Sequence, residues 1–329
     1  MTKTSVALCT YNGEQYIEEQ ILSILNQSHP IDEIVICDDG SSDKTITIIE
    51  TIQATSQIPI YLFKNTPNLG VTENFRKAVS LCQGEIIFFS DQDDVWLPHK
   101  VERILKYLAN HPSVMAVFSD ALFIDSAGNH NTHYRNLFRM SFHKEEQKMF
   151  NAGLQLECFL RRNHATGATM AVRKKFIKEC HPFDYCSSNF LHDFSIAIQA
   201  AERGQLGVIY QPLIYYRQHD RQQTGFRLPT KHEDCNWHCY YDHLHEYWPA
   251  DEHLKSVENI LRPVSMERIA YMATRNHLLH QILAPLHIFL SIKKYKHLYN
   301  KAFIKIMLYD ITQSIRYSCL RLAHRAPSN

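Results

Sequence analysis

From Ser5 to Phe89 the chain alternates short apolar runs with helical patterns. This alternation narrows the choice of fold more than any other feature. The apolar runs are Ser5–Cys9, Ile34–Cys37, Ile58–Phe63 and Ile86–Phe89. Each has the length of a strand and no period-2 polarity, as expected for strands buried on both faces of a parallel sheet. Between the first two runs, Ile17, Ile21, Ile24 and Leu25 recur at helical spacing over Tyr16–Gln27. A second helix is predicted from Ser42 or Asp43 to about Ala54, and a third from a Thr72 cap to Gln83–Gly84. Crossovers of this length permit parallel pairing. The first half therefore reads as a doubly wound α/β fold, in which ligands bind beyond the carboxyl ends of the strands.

Those strand ends carry polar loops. Thr10-Tyr11-Asn12-Gly13 follows the first run, and Asp38-Asp39-Gly40-Ser41 follows the second. Pro67 and Gly70 lie in the loop after the third. The fourth delivers Asp91, Asp93 and Asp94, three carboxylates in four positions. Free carboxylates titrate near about 4, so all three are charged at neutral pH unless their surroundings intervene. Such crowding is costly without a cation among them, and Asp-Xaa-Asp suits a hard divalent metal that also holds a diphosphate. A solvated acidic turn before a helix is the alternative. Neither Gly-Xaa-Gly-Xaa-Xaa-Gly nor a phosphate loop ending in Gly-Lys-Ser/Thr occurs, which argues against dehydrogenase and P-loop chemistry.

Further on, strands are predicted at Val114–Phe118, Ala168–Val172, Leu206–Ile209 and Leu213–Tyr216, the last closed by Arg217-Gln218-His219. A helix is predicted over Asp193–Arg203, stopped by Gly204. Residues 131–160 are less regular, with Tyr134, Phe138, Phe142 and Phe150 among basic groups. After Gly225 the character changes to a segment rich in aromatics, histidines and helix formers. The expected division is 1–225 and a helical region 226–329.

Net charge is +1 over 329 residues, so no global field argues for nucleic acid. The nine cysteines have no framework spacing, and Cys9, Cys37 and Cys82 read as buried thiols in a reducing compartment. Met1–Cys9 leads straight into a strand, which predicts no secretory leader. No window offers about 18 uninterrupted apolar residues, so the expected location is cytoplasmic. His232, Cys235, His238, Cys239, His243 and His245 crowd one segment, but i, i+4 pairs arise in any helix. Ile292–Asn329 carries eight Lys and Arg against Asp310, with apolar residues at helical spacing. It suits peripheral contact with anionic lipid, or packing on residues 1–225 or on a second subunit in a homo-oligomer.

The motifs TYNG, DDGSSD, SDQDD and RQH, in this order, resemble the inverting glycosyltransferases of family 2, which have the nucleotide-sugar fold called GT-A. The resemblance covers about residues 4–225. NLGVTENF, FFSDQDDVWLPHK, LHDFSIA and YYRQH are most similar to its rhamnosyltransferase-like branch. It implies transfer of a hexose or deoxyhexose, rhamnose as the first guess, from a nucleoside diphosphate to a surface polysaccharide or lipid-linked glycan. By that resemblance Tyr11 lies against the base and Asp39 accepts its imide N–H, with Thr10, Asn12 and Asp38 supporting the loop. It makes Asp93 a direct ligand of Mn2+ or Mg2+, completed by His219. Asp91 contacts the ribose or a metal-bound water, Asp94 orients the loop or meets the sugar, and Gly167 lies in a loop near the donor. Trp96 fits either the sugar pocket or the core.

Asp193 is the implied base. Its place at a helix N-terminus favours the ionised form, while crowding or desolvation opposes that. His192 is the rival base. The sequence departs from the family pattern in having His192-Asp193 for Glu-Asp, Cys9 where proline is common, and Gln222 where processive members have tryptophan. A nucleotide-sugar-binding scaffold without turnover and a nucleotidyltransferase are the alternative readings.

Overall fold

The structure is a computed structural model that describes residues 2–131, 134–161, 163–186 and 191–222. The first half follows the predicted alternation: β1 (Thr4–Thr10), α1 (Ile17–Leu25), β2 (Glu33–Asp38), α2 (Thr45–Thr55), β3 (Ile60–Lys64), α3 (Val71–Leu81) and β4 (Ile86–Ser90). The short β5 (Val95–Trp96) follows, then α4 (Lys100–Asn110) and β6 (Ala116–Ile124). Next come α5 (Leu137–Ser141), α6 (Lys144–Asn151), α7 (Gln155–Arg161), β7 (Ala171–Arg173), α8 (Lys174–Cys180), α9 (His192–Glu202) and β8 (Leu206–Arg217).

These strands form one eight-stranded sheet in the order β3-β2-β1-β4-β7-β6-β8-β5. The β1, β2, β3 and β4 strands are mutually parallel, and β6 and β8 run the same way. Only β7 and β5 run against them. Every residue of β1, β2 and β4 is buried, which is why their sequences are apolar without alternation. β3, at the sheet edge, is only partly covered. Ile17, Ile21 and Ile24 of α1 pack with Val6 and Leu8 of β1 and Val101 and Ile104 of α4 in the core. Chain order reverses between β1 and β4, so their carboxyl ends open a crevice at a topological switch point.

Three expectations change in detail. Gly167–Thr169 is a 3-10 turn, because the Thr169 N–H and hydroxyl both return to Thr166 O, at 2.8 and 2.7 Å; β7 starts after it. The two strands expected at 206–216 are one strand, whose pairing with β6 slips at Asp120 opposite Pro212. Proline has no N–H for the ladder there. Residues 131–160 hold three short helices whose phenylalanines enclose Phe118, with Phe138, Phe142, Phe150 and Phe159 centred 5.6–6.1 Å from it. The aromatic–basic interleaving of this stretch is thus a helical face turned into a core.

Cys9, Cys37 and Cys82 are buried free thiols. Among the described residues no helix is long and apolar enough to cross a membrane. The division at 225, the histidine–cysteine cluster and the basic C-terminal segment fall outside the described residues.

Candidate active site

The crevice holds a cavity of about 740 Å³. Its lining includes Thr10, Tyr11, Asn12, Asp39, Asp91, Asp93, Gly167, His192, Asp193 and His219, all singled out in the sequence. Asp38, Asp94 and Trp96 are buried outside that lining.

Backbone turns and side-chain staples fix the first two loops. Asp38 Oδ1 accepts the Gly40 and Ser41 N–H groups at 3.1 and 2.9 Å, and its Oδ2 accepts the Ser41 hydroxyl. Gly40 has φ +89°, which a residue with a Cβ adopts only with strain. Asn12 accepts the Ser42 N–H at 2.9 Å and donates its own N–H to Ser41 Oγ at 2.8 Å. Asp38 and Asn12 are therefore loop supports. Tyr11 is 37% exposed, leaving its ring face open to stack on a planar ligand.

Asp39 is already heavily engaged. Its Oδ1 accepts Asn65 Nδ2 and the Leu69 N–H, and its Oδ2 accepts the Gly70 N–H, all at 2.8 Å. The Asp39 N–H donates to Thr10 O at 2.8 Å. A carboxylate has about four acceptor sites, so one, on Oδ2, is left for a ligand. The loop with Pro67 and Gly70 therefore serves to hold Asp39. It also explains why α3 starts at Val71 after Gly70, with Thr72 inside the first turn.

The acidic loop contains three environments. Asp93 Oδ2 lies 2.9 Å from His219 Nε2, and the His219 ring packs on Tyr16 at 4.9 Å. Asp91 faces the cavity; burial, then Asp93 and Asp193, push its carboxyl up to about 7. Asp94 is buried: Oδ1 accepts the Arg217 N–H at 3.0 Å, and Oδ2 has no hydrogen-bond partner among the described residues. Burial and the charges of Asp93 and Asp91 raise its carboxyl well above the usual range. Arg217 ties the end of β8 to this loop through Asp93 O at 2.8 Å, and its guanidinium sits 4.7 Å over the Tyr16 ring. Trp96 is 3% exposed and belongs to the core.

Asp93 and His219 are close enough for both to reach one divalent cation. Among the described residues they have no third His, Cys, Asp or Glu grouped with them. A hard cation there would take its remaining ligands from bound oxygens.

Asp193 stands in the first turn of α9. Its Oδ2 accepts the Gly167 N–H at 3.2 Å and its Oδ1 the Phe194 N–H at 2.6 Å. Burial outweighs these bonds and pushes the carboxyl up to about 6. The helix terminus that favours ionisation thus loses to desolvation. His192 packs among Phe75, Phe89 and Phe183, with centroids at 4.3, 5.5 and 5.9 Å. Among the described residues neither ring nitrogen has a hydrogen-bond partner, and burial pulls the imidazole down to about 3.

Two residues of the site went unnoticed in the sequence. Gln92 accepts the Thr10 hydroxyl at 2.6 Å and the Tyr11 N–H at 2.8 Å, and donates to Tyr11 O at 3.1 Å. It joins the first loop to the acidic one. A Cβ on Gly13 would lie 2.3 Å from Gln92 Oε1, so the glycine makes room for this staple. Lys100 is fully buried beneath the acidic loop. Only its place just after the aspartates could have signalled it.

A mixed, mainly parallel sheet with polar loops opening at its switch point is the fold of the GT-A glycosyltransferases. The sequence matches the family described as Glycosyl transferase family 2 over residues 5–180, more than half its length, and the chain belongs to that family. It is a glycosyltransferase. An uncharacterised glycosyltransferase of Methanocaldococcus jannaschii is 28% identical over 76% of this chain and 80% of its own length. The dTDP-rhamnosyl transferase RfbG of Shigella flexneri is 29% identical over 68% of this chain and 75% of its own.

Among solved structures, S. aureus TarS 1-349 in complex with UDP superposes with a TM-score of 0.53, at 15% identity. The match covers 84% of this chain and 71% of that one. The mannosyltransferase PcManGT of Pyrobaculum calidifontis, in complex with GDP-Man and Mn2+, gives 0.51 at 17% identity, covering 99% and 88%. Both likenesses concern the fold.

Proposed function

We propose that the chain moves a sugar, with inversion, from a nucleoside diphosphate to a hydroxyl of a surface polysaccharide or lipid-linked saccharide. The observation that carries this is the placement of Asp193 in the same cavity as the Asp93–His219 pair. The base of the donor stacks on Tyr11 and gives its imide N–H to the free acceptor site of Asp39. Asp91 takes a ribose hydroxyl or a metal-bound water. Asp93 and His219 would hold Mn2+ or Mg2+, and such a cation would supply positive charge for the leaving diphosphate.

Asp193 supplies the base. Raised to about 6, it is ionised at pH 7 and is a stronger proton acceptor than an ordinary carboxylate. It takes the proton of the acceptor hydroxyl as that oxygen bonds to C1 and the C1–O bond to the diphosphate breaks. The Gly167 and Phe194 N–H groups fix one oxygen each, leaving the remaining lone pairs for the acceptor. His192, held neutral in its aromatic surround, does not compete for the proton at pH 7.

For the donor we propose thymidine diphosphate-rhamnose, supported by the similarity to RfbG and by the branch motifs. Asp39 does not separate thymine from uracil, because both present the same imide N–H. A thermal-shift panel of nucleotide sugars with Mn2+ tests the donor. Strongest stabilisation by the rhamnose donor is expected. Stabilisation only by uridine diphosphate sugars would overturn the rhamnose assignment, and stabilisation by none would overturn the reading of the cavity.

A further inference from the structure

Lys100 is the first residue of α4 and is 0% exposed. A cation is disfavoured at a helix N-terminus and again by complete burial, so its surroundings must compensate. Its Nζ lies 3.7 Å from the centre of the Trp96 ring and donates to Ala168 O at 2.7 Å. Asp94, then Asp91, are the carboxylates that favour its charged form. Ala168 belongs to the Gly167–Thr169 turn, and Gly167 is the residue whose N–H holds Asp193 Oδ2. A single side chain thus runs from the underside of the acidic loop to the turn that orients the base.

We infer that Lys100 is a positioning residue that sets the distance between the Asp91–Asp94 loop and Asp193 through the Gly167–Thr169 turn. The inference rests on the glycosyl transfer proposed above. Lys100 touches no reactant. It acts through Ala168 O, and either an ammonium or a neutral amine can donate that bond. Burial pulls Lys100 down to about 7 while the two aspartates oppose the shift, so the link does not depend on one charge state. Trp96, two residues after Asp94, packs against the same Nζ at 3.7 Å and so joins the acidic-loop side of this lever to the turn.

Lys100→Met keeps the apolar stem and removes the donor and the charge. The expected result is a kcat lower by roughly 10- to 100-fold with the donor KM and donor dissociation constant within about twofold of wild type. Hydrogen exchange followed by mass spectrometry should show faster exchange in peptides spanning 164–173, with β1 and β2 peptides unchanged. Unchanged kcat, or unchanged exchange at the turn, would overturn the assignment.

If Lys100→Met alone does not fold, Lys100→Met/Asp94→Asn removes both buried charges. A folded double variant with kcat still low supports the lever. Recovery of wild-type kcat would overturn it, leaving Lys100 as a counter-charge for Asp94. The exchange comparison needs no turnover, so a wild-type protein inactive on every donor would count against the proposed function without deciding the role of Lys100.

Discussion

Asp93 Oδ2 and His219 Nε2 are 2.9 Å apart, though 126 positions separate the residues in the chain. β4 and β8 run in the same direction within one sheet, so both strands release their loops at the same edge. Asp93→Ala removes the carboxylate and should nearly abolish turnover. His219→Ala removes the imidazole and should raise the Mn2+ concentration needed for half-maximal rate, with partial rescue by excess metal. An unchanged metal requirement in His219→Ala, measured by metal titration after chelation, would contradict the pairing.

Asp193 should govern the acid limb of the pH profile. With the carboxyl at about 6, kcat/KM should fall tenfold per unit as pH drops below 6. Asp193→Asn should cost roughly 100- to 10,000-fold in kcat while leaving donor binding in place. A limb that stays flat down to pH 4.5 would exclude this carboxylate as the base.

The same group bears on stability. Its folded pKa is raised above the unfolded value, so the folded state binds the proton more tightly. Between about 6 and the unfolded value of 3.8, stability therefore rises as pH falls, and the native state is penalised above pH 6. Asp193→Asn removes that penalty. At pH 8 the variant should be more stable than wild type by about 1–3 kcal/mol, with little gain at pH 4. Chemical denaturation at the two pH values checks the sign.

Gln92 and Gly13 should behave as a unit. Gln92→Ala frees the Thr10 hydroxyl and the Tyr11 N–H, and Gly13→Ala drives a Cβ into the space of the Gln92 amide. Each should weaken donor binding several-fold. The double variant should be no worse than the poorer single one, a coupling of about 0.5–3 kcal/mol in the binding cycle. Full additivity would mean that the staple does not hold the loop.

Asp39→Asn places an amide against three N–H donors. It should destabilise the fold by about 1–3 kcal/mol and weaken donor binding without altering the metal requirement. Denaturant unfolding and donor titration together separate the two effects.

Much of this site was legible in the chain, because its residues follow strands whose burial leaves an unmistakable apolar run. Asp91, Asp93 and Asp39 announce themselves by following Ile86–Phe89 and Ile34–Cys37. His219 needed the direction of β8, which sequence spacing suggests and only the sheet pairing establishes. The environment of each carboxylate was not legible. Asp38, Asp39, Asp91 and Asp94 have the same side chain, yet one closes a turn, one is held by three donors, one faces the cavity and one is buried beside Arg217. The Asp38 turn is local, but the surroundings of Asp39 and Asp94 come from contacts across 26 to 123 positions. Nor could the Phe138, Phe142 and Phe150 pattern be read as a core before Phe118 was seen at its centre. The short helices carrying it are set by that packing more than by their own propensity.

The central claim is that Asp193 and the Asp93–His219 pair act on one nucleotide sugar. Proton NMR of donor turnover with Mn2+, run on wild type and Asp193→Asn, tests it most directly. Wild type should release nucleoside diphosphate from at least one donor, and the first sugar product should carry the anomeric configuration opposite to that of the donor. Asp193→Asn should bind the same donor and release almost none. Retention of the donor's configuration, or equal release by the two proteins, would contradict the account.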